Sequence, residues 1–149
     1  MPLRPARADE ADLLTELCLR SKAVWGYDRA FMRACRAELT LSPADFANSA
    51  IQVAIENNRV VGVAQVVAHG DTADLAKLFV EPTVLRGGVG RQLFRWAAET
   101  ARGKGAKSMS IEADPDAVAF YRRMGAIDDG MAASGSIPGR MLPRLKLRL

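Results

Sequence analysis

Residues 50–68 constrain the fold of this chain more than any other stretch. They contain two runs rich in strand-forming residues, 50–55 and 60–68, which are joined through Asn57 and Asn58. Asparagine tolerates the left-handed backbone of a tight turn, so the pattern predicts a β-hairpin. A hairpin near the middle of the chain requires a sheet around it, and the remaining elements must pack on that sheet.

Helical periodicity precedes this hairpin. Apolar residues recur at helical spacing in residues 10–26, with Asp9 predicted as the N-cap, and again in residues 28–39. The segment LSPAD, residues 41–45, is interpreted as a helix breaker. Residues 3–7 are predicted to form a short edge strand.

Strands and helices alternate after the hairpin. We predict strands at residues 74–80, 108–112, 125–133 and 141–149, helices at residues 88–102 and 115–124, and a loop at residues 134–140. The order of elements favours one domain over residues 1–149 with a mixed α/β or α+β sheet, rather than a regular doubly wound one.

The last predicted strand alternates basic with apolar residues in RLKLRL. This alternation is typical of an edge strand, where Lys146 and Arg148 could guard the edge against pairing. The alternative is an edge that pairs with a second copy of the chain, so the sequence leaves a homodimer possible.

Composition excludes several classes of protein. The chain has 149 residues, 49% of them hydrophobic, which is enough for one core. Its two cysteines, Cys18 and Cys35, and its single histidine, His69, give no metal-ligand spacing and no disulfide framework. Residues 1–20 lack the apolar core of a signal peptide, and no uncharged run approaches membrane-spanning length, so we expect a cytoplasmic protein without a membrane partner.

Positive charge is concentrated in one part of the chain. Residues 82–125 contain eight basic and four acidic residues, a difference equal to the net charge of +4. Such a region indicates a nucleic acid, an anionic membrane surface or a polyphosphate ligand, and its alternative is a solvated helix face.

A glycine cluster lies in this basic region, between a predicted strand and a predicted helix. Gly87, Gly88 and Gly90 allow a ligand to approach the backbone closely, and the N–H groups of the first helical turn can bind an anion. Arg86 and Arg91 flank the cluster and could add charge-assisted hydrogen bonds. The alternative is a tight turn without a ligand.

Two common phosphate-binding motifs do not match this cluster. A Walker loop ends in Gly-Lys-Ser/Thr, whereas Gly90 is followed by Arg91 and Gln92. A dinucleotide fingerprint needs a third small residue where the chain has Leu93, and it belongs at the first strand of a βαβ unit.

The segments LFVEPTVLRGGVGRQLF and AVAFYRRMGA together resemble the coenzyme A signature of the GCN5-related N-acetyltransferases, the GNAT family. The family pattern is Gln/Arg-x-x-Gly-x-Gly/Ala, followed on a later helix by Asn-x-x-Ala-x-x-x-Tyr and a Gly-Phe-like ending. Gly88 and Gly90 match the first motif, Ala117 and Tyr121 match the second, and Gly125 matches its ending. With the order of elements, the resemblance covers nearly the whole chain.

Three residues depart from the family pattern. Leu85 replaces the Gln or Arg, so phosphate binding would rely on backbone N–H groups with help from Arg86 and Arg91. Asp114 replaces the common Asn, and its carboxylate would repel phosphate unless it caps the following helix. Ala126 stands where an aromatic residue is usual.

The resemblance implies a GNAT-like α+β fold: a central, mostly antiparallel, twisted sheet of six to seven strands with a splayed centre, flanked by about four helices. It also implies acetyl-CoA as co-substrate, no metal, and direct transfer of the acetyl group to a primary amine. The coenzyme-binding residues that it implies are Leu78, Phe79, Val80, Leu85, Arg86, Gly87, Gly88, Val89, Gly90, Arg91, Asp114 and Tyr121.

Two residues are the catalytic candidates that the resemblance implies. Tyr121 would act as the acid that protonates the departing thiolate, and its alternative is a tyrosine that fills the core. Asp74 would act as a base through water, and its alternative is a solvated residue at a strand start. His69 and Glu112 are weaker candidates for the base.

The acceptor side is predicted from the family's first two helices and final hairpin. Trp25, Tyr27, Phe31 and Arg140 are the predicted acceptor-binding residues, with Ser136 as a further polar group. Each has a core or loop role as its alternative, and for Trp25 the core is favoured. The acceptor itself, which includes small amines, amino acids, antibiotics and protein N-termini, stays open.

Two alternatives belong to other functional classes. One is a non-catalytic GNAT-fold module that binds coenzyme A as a sensor or for interaction. The other is a nucleic-acid binder, but the chain has no recognition-helix or aromatic RNA-platform signature. We therefore expect a small-molecule amine as partner, with a protein acceptor left open, and no nucleic acid.

Overall fold

A computed structural model describes residues 2–84 and 87–149 of the chain. Its described strands form one seven-stranded sheet in the order β1-β2-β3-β4-β5-β7-β6. The strands are β1 (Leu3–Pro5), β2 (Ala50–Glu56), β3 (Arg59–His69), β4 (Thr72–Val80), β5 (Ser108–Glu112), β6 (Ile127–Ala133) and β7 (Met141–Arg148). All described pairs are antiparallel except β4 with β5. The predicted mostly antiparallel sheet of six to seven strands is confirmed.

The predicted central hairpin is formed by β2 and β3. Asn57 and Asn58 both have positive φ, 52° and 62°, which is the geometry of a tight two-residue turn. The strand β3 is buried from Val61 to Val66, because helices cover both of its faces.

Five α-helices lie within the described residues, one more than the four or so expected. They are α1 (Ala11–Ala23), α2 (Arg29–Leu39), α3 (Pro43–Asn48), α4 (Val89–Gly103) and α5 (Val118–Arg123), with 3-10 turns at Ala8–Glu10, Pro82–Val84 and Pro115–Ala117.

The additional helix, α3, begins inside the segment that was interpreted as a breaker. Ser42 and Asp45 form a capping box, and Pro43 occupies the first helical turn, where its missing N–H costs nothing. The preceding helix does end at Leu39, before this segment, as a breaker requires, but the helix that starts within the segment was not predicted.

The predicted N-cap of α1 was also wrong. Asp9 lies inside the 3-10 turn, and Glu10 is the residue that precedes α1. Glu10 forms an ion pair with Arg4 at 2.7 Å, and it accepts a hydrogen bond from the Arg7 backbone N–H at 2.8 Å. These bonds hold the pKa of the Glu10 carboxyl at about 2.

The core lies in two layers, one on each face of the sheet. On one face, α1 and α2 pack on Val53 and Val63. On the other face, α4 packs on Ala54 and Ala64. Neighbouring residues of β2 and β3 thus point into different layers, as strand alternation requires.

The sheet opens between β4 and β5. These parallel strands pair at three positions, which join Thr72 to Ser108, Ala73 to Met109 and Asp74 to Ser110. Beyond Asp74, β4 pairs with β3 alone. This divergence confirms the predicted splayed centre, and it leaves one edge of the second half of β4 free for a ligand.

A β-bulge at Ala76 changes the direction of the side chains of β4. Gln65 of β3 pairs with Lys77, but the next residue, Val66, pairs with Leu75, so Ala76 is the extra residue. Leu75 packs in the layer of α4, whereas Phe79 packs in the layer of α1 and α2. Odd-numbered residues before the bulge and after it therefore face opposite sides of the sheet.

The C-terminal strand, β7, lies inside the sheet between β5 and β6. Its Leu145 is fully buried. The expectation of an edge strand was wrong because residues 127–133 pair along its other side, from Met141 to Lys146. None of the helices in residues 2–84 and 87–149 is long and apolar enough to cross a membrane.

Gly62 sets the distance between α4 and the sheet. A Cβ at this position would lie 2.8 Å from both Leu93 Cδ1 and Val89 Cγ1. We expect Gly62→Ala to lower the free energy of unfolding by about 1 to 3 kcal/mol through overpacking. Chemical denaturation measures this, with Gly103→Ala as the control, since a Cβ there meets nothing within 4 Å. Equal stability of the two variants would show that α4 can shift away without cost.

Candidate functional site

A cavity of about 990 Å³ lies where β4 and β5 diverge. One wall comes from the start of α4 and from α5, and the opposite wall comes from α1, α2 and the loop between β6 and β7. This volume is at the upper end of the range for small-molecule sites, about 300 to 1,000 Å³.

The glycine cluster opens α4 at one end of this cavity. Gly88 is the N-cap residue with φ of 80°, and a Cβ there would meet nothing within 4 Å. The N–H groups of Val89 and Gly90 belong to the first helical turn, which has no intrahelical acceptors for them. Arg91 is exposed beside them and lines the cavity. The junction can therefore bind an anion through backbone N–H groups.

Other residues of the cluster contribute less. The Gly87 N–H donates to the Val84 carbonyl at 3.1 Å, so it is already used. The Val89 side chain is fully buried in the core, and only its backbone can contact a ligand. Leu85 and Arg86, which were also predicted to bind coenzyme, lie outside the described residues.

Gly90 has a packing role as well. A Cβ at Gly90 would lie 3.4 Å from the Phe120 ring and 3.8 Å from Val80 Cγ2. The absence of a side chain lets the start of α4 approach α5. Gly90 thereby brings the glycine cluster close to the helix that carries Tyr121.

The second half of β4 forms the floor of the cavity. Leu78, Phe79 and Val80, all predicted to contact coenzyme, line it. The Val80 N–H donates to Ser21 Oγ at 3.4 Å, which ties α1 to the end of this strand.

Tyr121 lies on the wall formed by α5. Its side chain is 8% exposed, and its ring is 5.2 Å from that of Phe120 and 5.9 Å from that of Phe94, measured between centroids. Burial raises the pKa of Tyr121, so the hydroxyl stays protonated at neutral pH and can donate. Tyr121 thus fills core and lines the cavity at once.

Asp74 lines the cavity at the last position where β4 and β5 pair. Its Oδ2 is 2.9 Å from His69 Nε2, and both side chains are about half exposed. The two candidate bases are therefore one hydrogen-bonded pair. Glu112, the third candidate, is exposed and lines the cavity from the end of β5.

Asp114 caps the turn before α5 and also reaches across the cavity. Its Oδ1 accepts from the Asp116 N–H at 3.3 Å, and its Oδ2 accepts from the Tyr27 hydroxyl at 2.5 Å. Lys22 Nζ and an Arg140 nitrogen lie 3.8 and 4.0 Å from the same oxygen. These groups offset the negative charge of the carboxylate.

Three predicted acceptor residues form a cluster with Lys22. The Tyr27 and Phe31 rings stack at 3.9 Å between centroids. Arg140 Cζ lies 5.1 and 4.9 Å from the Tyr27 and Phe31 ring centroids, and Lys22 Nζ lies 5.5 and 5.8 Å from them. We call Lys22, Tyr27, Phe31, Arg140 and Asp114 the cation–aromatic cluster. Burial and the hydrogen bond to Asp114 raise the pKa of Tyr27.

This cluster divides the predicted acceptor residues into two groups. Arg140 lines the cavity directly, whereas Tyr27 and Phe31 support it from behind. Trp25 also lines the cavity and is 42% exposed, so its favoured core position was wrong. The residue follows the end of α1, where the chain turns away from the hydrophobic layer.

Several cavity residues were missed from the sequence. Lys77 and Cys35 are 8% and 1% exposed, and Glu38 accepts a hydrogen bond from the Ser136 hydroxyl. Lys77 had a recognisable signal, since a lysine in the middle of the apolar strand LAKLFV is unusual for core. Within residues 2–84 and 87–149, no group of three or more His, Cys, Asp or Glu side chains could hold a metal ion.

Known structures share this architecture. A GCN5-related N-acetyltransferase from Rhodopseudomonas palustris has a TM-score of 0.81 and 20% identity, over 99% of this chain and 95% of the other. The PaiA N-acetyltransferase from Thermoplasma acidophilum, solved in complex with coenzyme A, has a TM-score of 0.76 and 14% identity over all of both chains. A GNAT acetyltransferase from Elizabethkingia anophelis with acetyl-CoA bound has a TM-score of 0.70 and 14% identity, over 99% and 97%. At these identities the likeness bears on the fold alone.

The family assignment comes from the sequence. No curated protein matches the chain. The model of the acetyltransferase (GNAT) family matches residues 18–126, which is most of the chain and includes the glycine cluster and Tyr121. The chain therefore belongs to the GNAT family of acetyltransferases.

Proposed function

We propose that this chain transfers an acetyl group from acetyl-CoA directly to a primary amine. One observation carries the proposal: a single cavity joins the open start of α4, the Tyr121 side chain and the acceptor side with Trp25 and Arg140. A donor with a polyphosphate and an acceptor can therefore reach the same space from opposite ends. Neither has to leave before the other enters, which direct transfer requires.

The residues at the α4 end fit the phosphates of coenzyme A. Gly88 leaves open space at the helix start, and the N–H groups of Val89 and Gly90 supply donors there. Arg91 adds a positive charge. The free edge of β4 at Leu78 offers backbone groups to the amide-containing arm of the coenzyme.

The remaining roles concern protons. Bound acetyl-CoA supplies the acetyl group and a thiolate leaving group. Asp74, paired with His69, accepts a proton from the incoming ammonium through water. As the C–N bond forms and the C–S bond breaks, Tyr121 Oη donates a proton to the sulfur, and the surplus proton of the new amide nitrogen returns to the Tyr121 oxygen. Because burial keeps the Tyr121 hydroxyl protonated, it is suited to this acid role.

Thermal unfolding tests the coenzyme site. We expect acetyl-CoA and coenzyme A, at about 100 times their Kd, to stabilise the fold by about 2.7 kcal/mol and to raise Tm by several degrees. NAD and an oligonucleotide, used at the same concentration, should leave Tm unchanged. Stabilisation by the oligonucleotide alone would instead favour nucleic-acid binding by the basic region.

Turnover separates an enzyme from a sensor of the same fold. A panel of primary amines, assayed by release of free thiol from acetyl-CoA, should give amine-dependent release for at least one class of acceptor. Coenzyme binding without any amine-dependent release would support the alternative, a non-catalytic module that binds coenzyme A.

A further inference from the structure

Lys77 carries a buried positive charge on the acceptor side of the cavity. It lies on β4 just after the bulge, lines the cavity and is 8% exposed. Since β4 lies at the centre of the described sheet, this ammonium group is held in place by the strand itself. None of the roles proposed above uses it.

The hydrogen bonds around Lys77 define its orientation. Its Nζ donates to Gln65 Oε1 at 3.2 Å. The amide nitrogen of Gln65 donates to Asp45 Oδ1 at 3.2 Å and to Ser49 Oγ at 2.9 Å. Because an amide nitrogen suits these acceptors, the Gln65 oxygen must face Lys77. The bond therefore uses one of the three donors of a protonated lysine and leaves two.

Lys77 lacks a direct counter-ion among the described residues. No carboxylate oxygen of residues 2–84 and 87–149 lies within 4.0 Å of its Nζ, whereas Lys22 and Arg140 share Asp114. Glu38, on the same side of the cavity, is engaged by Ser136. The hydrogen-bond partner of this buried ammonium group is the neutral Gln65 amide, and an anion that enters the cavity would offset the cost of burying the charge.

The bulge places Lys77 on the same face of β4 as Asp74. Leu75 faces α4, so its neighbour Asp74 faces α1 and α2, and the reversal at Ala76 turns Lys77 to that side as well. Asp74 and Lys77 pair with Val67 and Gln65, which are two residues apart on β3, so they lie about 7 Å apart along the sheet at a rise of roughly 3.3 Å per residue. An acceptor molecule can bridge this distance with its amine near Asp74 and an anionic group near Lys77.

We propose that Lys77 binds a carboxylate of the acceptor, which makes the acceptor an amino acid type of molecule that carries both an amine and a carboxylate. This inference rests on the proposed acetyl transfer, because it assigns the acceptor of that reaction. Lys77 is then the residue that selects the acceptor, and it takes no part in moving protons.

The test compares free amino acids with their carboxamides, which keep the amine and lose the negative charge. For the wild type we expect kcat/KM for the best amino acid to exceed that for its carboxamide about 10- to 100-fold, the range of one charge-assisted hydrogen bond. In Lys77→Met this advantage should disappear through a higher KM for the acid, while kcat/KM for the carboxamide stays within about 3-fold. Lys77→Arg should restore the preference in part.

The controls separate this inference from loss of fold and from failure of the proposed function. Lys104→Met removes an exposed lysine beyond the end of α4 and should keep the preference for the acid. Stabilisation of Lys77→Met by acetyl-CoA shows that the fold and the coenzyme site persist. Equal kcat/KM for acid and carboxamide in the wild type, or a preference that survives in Lys77→Met, overturns the inference and leaves acetyl transfer standing. If acetyl-CoA fails to stabilise the wild type, the proposed function fails first.

A binding measurement gives a readout that does not depend on turnover. Calorimetric titration of the amino acid into the complex of enzyme and coenzyme A should show binding in the wild type and weaker binding, by about 10-fold or more, in Lys77→Met. The carboxamide should bind both proteins alike. Equal affinity of the acid for both proteins contradicts a role of Lys77 in binding it.

Discussion

Replacing Tyr121 with phenylalanine is expected to lower kcat by about 100-fold or more, the usual contribution of a positioned acid or base. The variant keeps the ring that packs on Phe94 and Phe120, and removes only the hydroxyl. Since burial raises the pKa of this hydroxyl, the wild-type group remains protonated through the neutral range and can serve as donor throughout it. Acetyl-CoA affinity should change little. Steady-state kinetics together with a coenzyme titration measure the two quantities separately.

The other tyrosine provides a contrast to this variant. Tyr27→Phe removes the hydroxyl that donates to Asp114, and so loosens the cation–aromatic cluster on the acceptor side. We expect it to raise KM for the acceptor while kcat changes less than in Tyr121→Phe. If Tyr121→Phe retained the wild-type kcat, Tyr121 would be a packing residue and the sulfur would take its proton from elsewhere.

Replacing Gly88 with proline is expected to weaken acetyl-CoA binding by at least about 10-fold, the effect of losing one hydrogen bond to a charged group. Proline fixes φ near −65°, whereas Gly88 has a φ of 80°, so the first turn of α4 must move. The N–H groups of Val89 and Gly90 would then no longer point together at the junction. Calorimetry or a fluorescence titration with coenzyme A gives the change in Kd.

Gly70→Pro is the matched control. Gly70 also has a positive φ, 73°, with open space where a Cβ would lie, but it is in the turn between β3 and β4. The Gly70→Pro variant should have a similar backbone strain and bind coenzyme A with unchanged affinity. An unchanged Kd in Gly88→Pro would place the phosphates away from α4.

Local patterns predicted most of the elements of this fold. The hairpin turn at Asn57 and Asn58, the strand β5 and the glycine start of α4 depend on residues that are close in sequence, so their signals are complete within a short window. The helix α3 shows the limit of that reasoning. Ser42, Pro43 and Asp45 carry helix-start chemistry, but the same residue types also end helices.

The remaining errors of prediction involve contacts between parts of the chain that are distant in sequence. The alternation in β7 is compatible with an edge, and only its pairing with residues 127–133 places it inside the sheet. Trp25 is a large apolar residue of a type that is often buried, but it follows the end of α1 and lines the cavity instead. Lys77 had a signal in its apolar surroundings, but the direction of its side chain is set by the register with β3, which the sequence of β4 does not contain.

In the candidate site, too, local sequence motifs could be predicted and long-range contacts could not. The motif residues Gly88, Gly90 and Tyr121, which line the cavity, could be predicted because the two motifs have fixed spacing. Asp114 was predicted to be harmless only as a helix cap, and it is one. Its contacts with Tyr27, Lys22 and Arg140 could not be predicted, since they join distant parts of the sequence: the hydrogen bond from Tyr27 alone spans 87 positions.

The extra residue at Ala76 also bears on how this protein could be redesigned or could diversify. Side chains at positions 74, 77 and 79 of β4 face the layer of α1 and α2, whereas those at 75, 78 and 80 belong to the layer of α4. One strand thus presents two separately variable sets of positions. A library that varies the first set would leave the layer of α4 unchanged, and deletion of Ala76 would give a regular ladder in which Gln65 still pairs with Lys77 and Val66 with Leu75, so that both sets keep their sides.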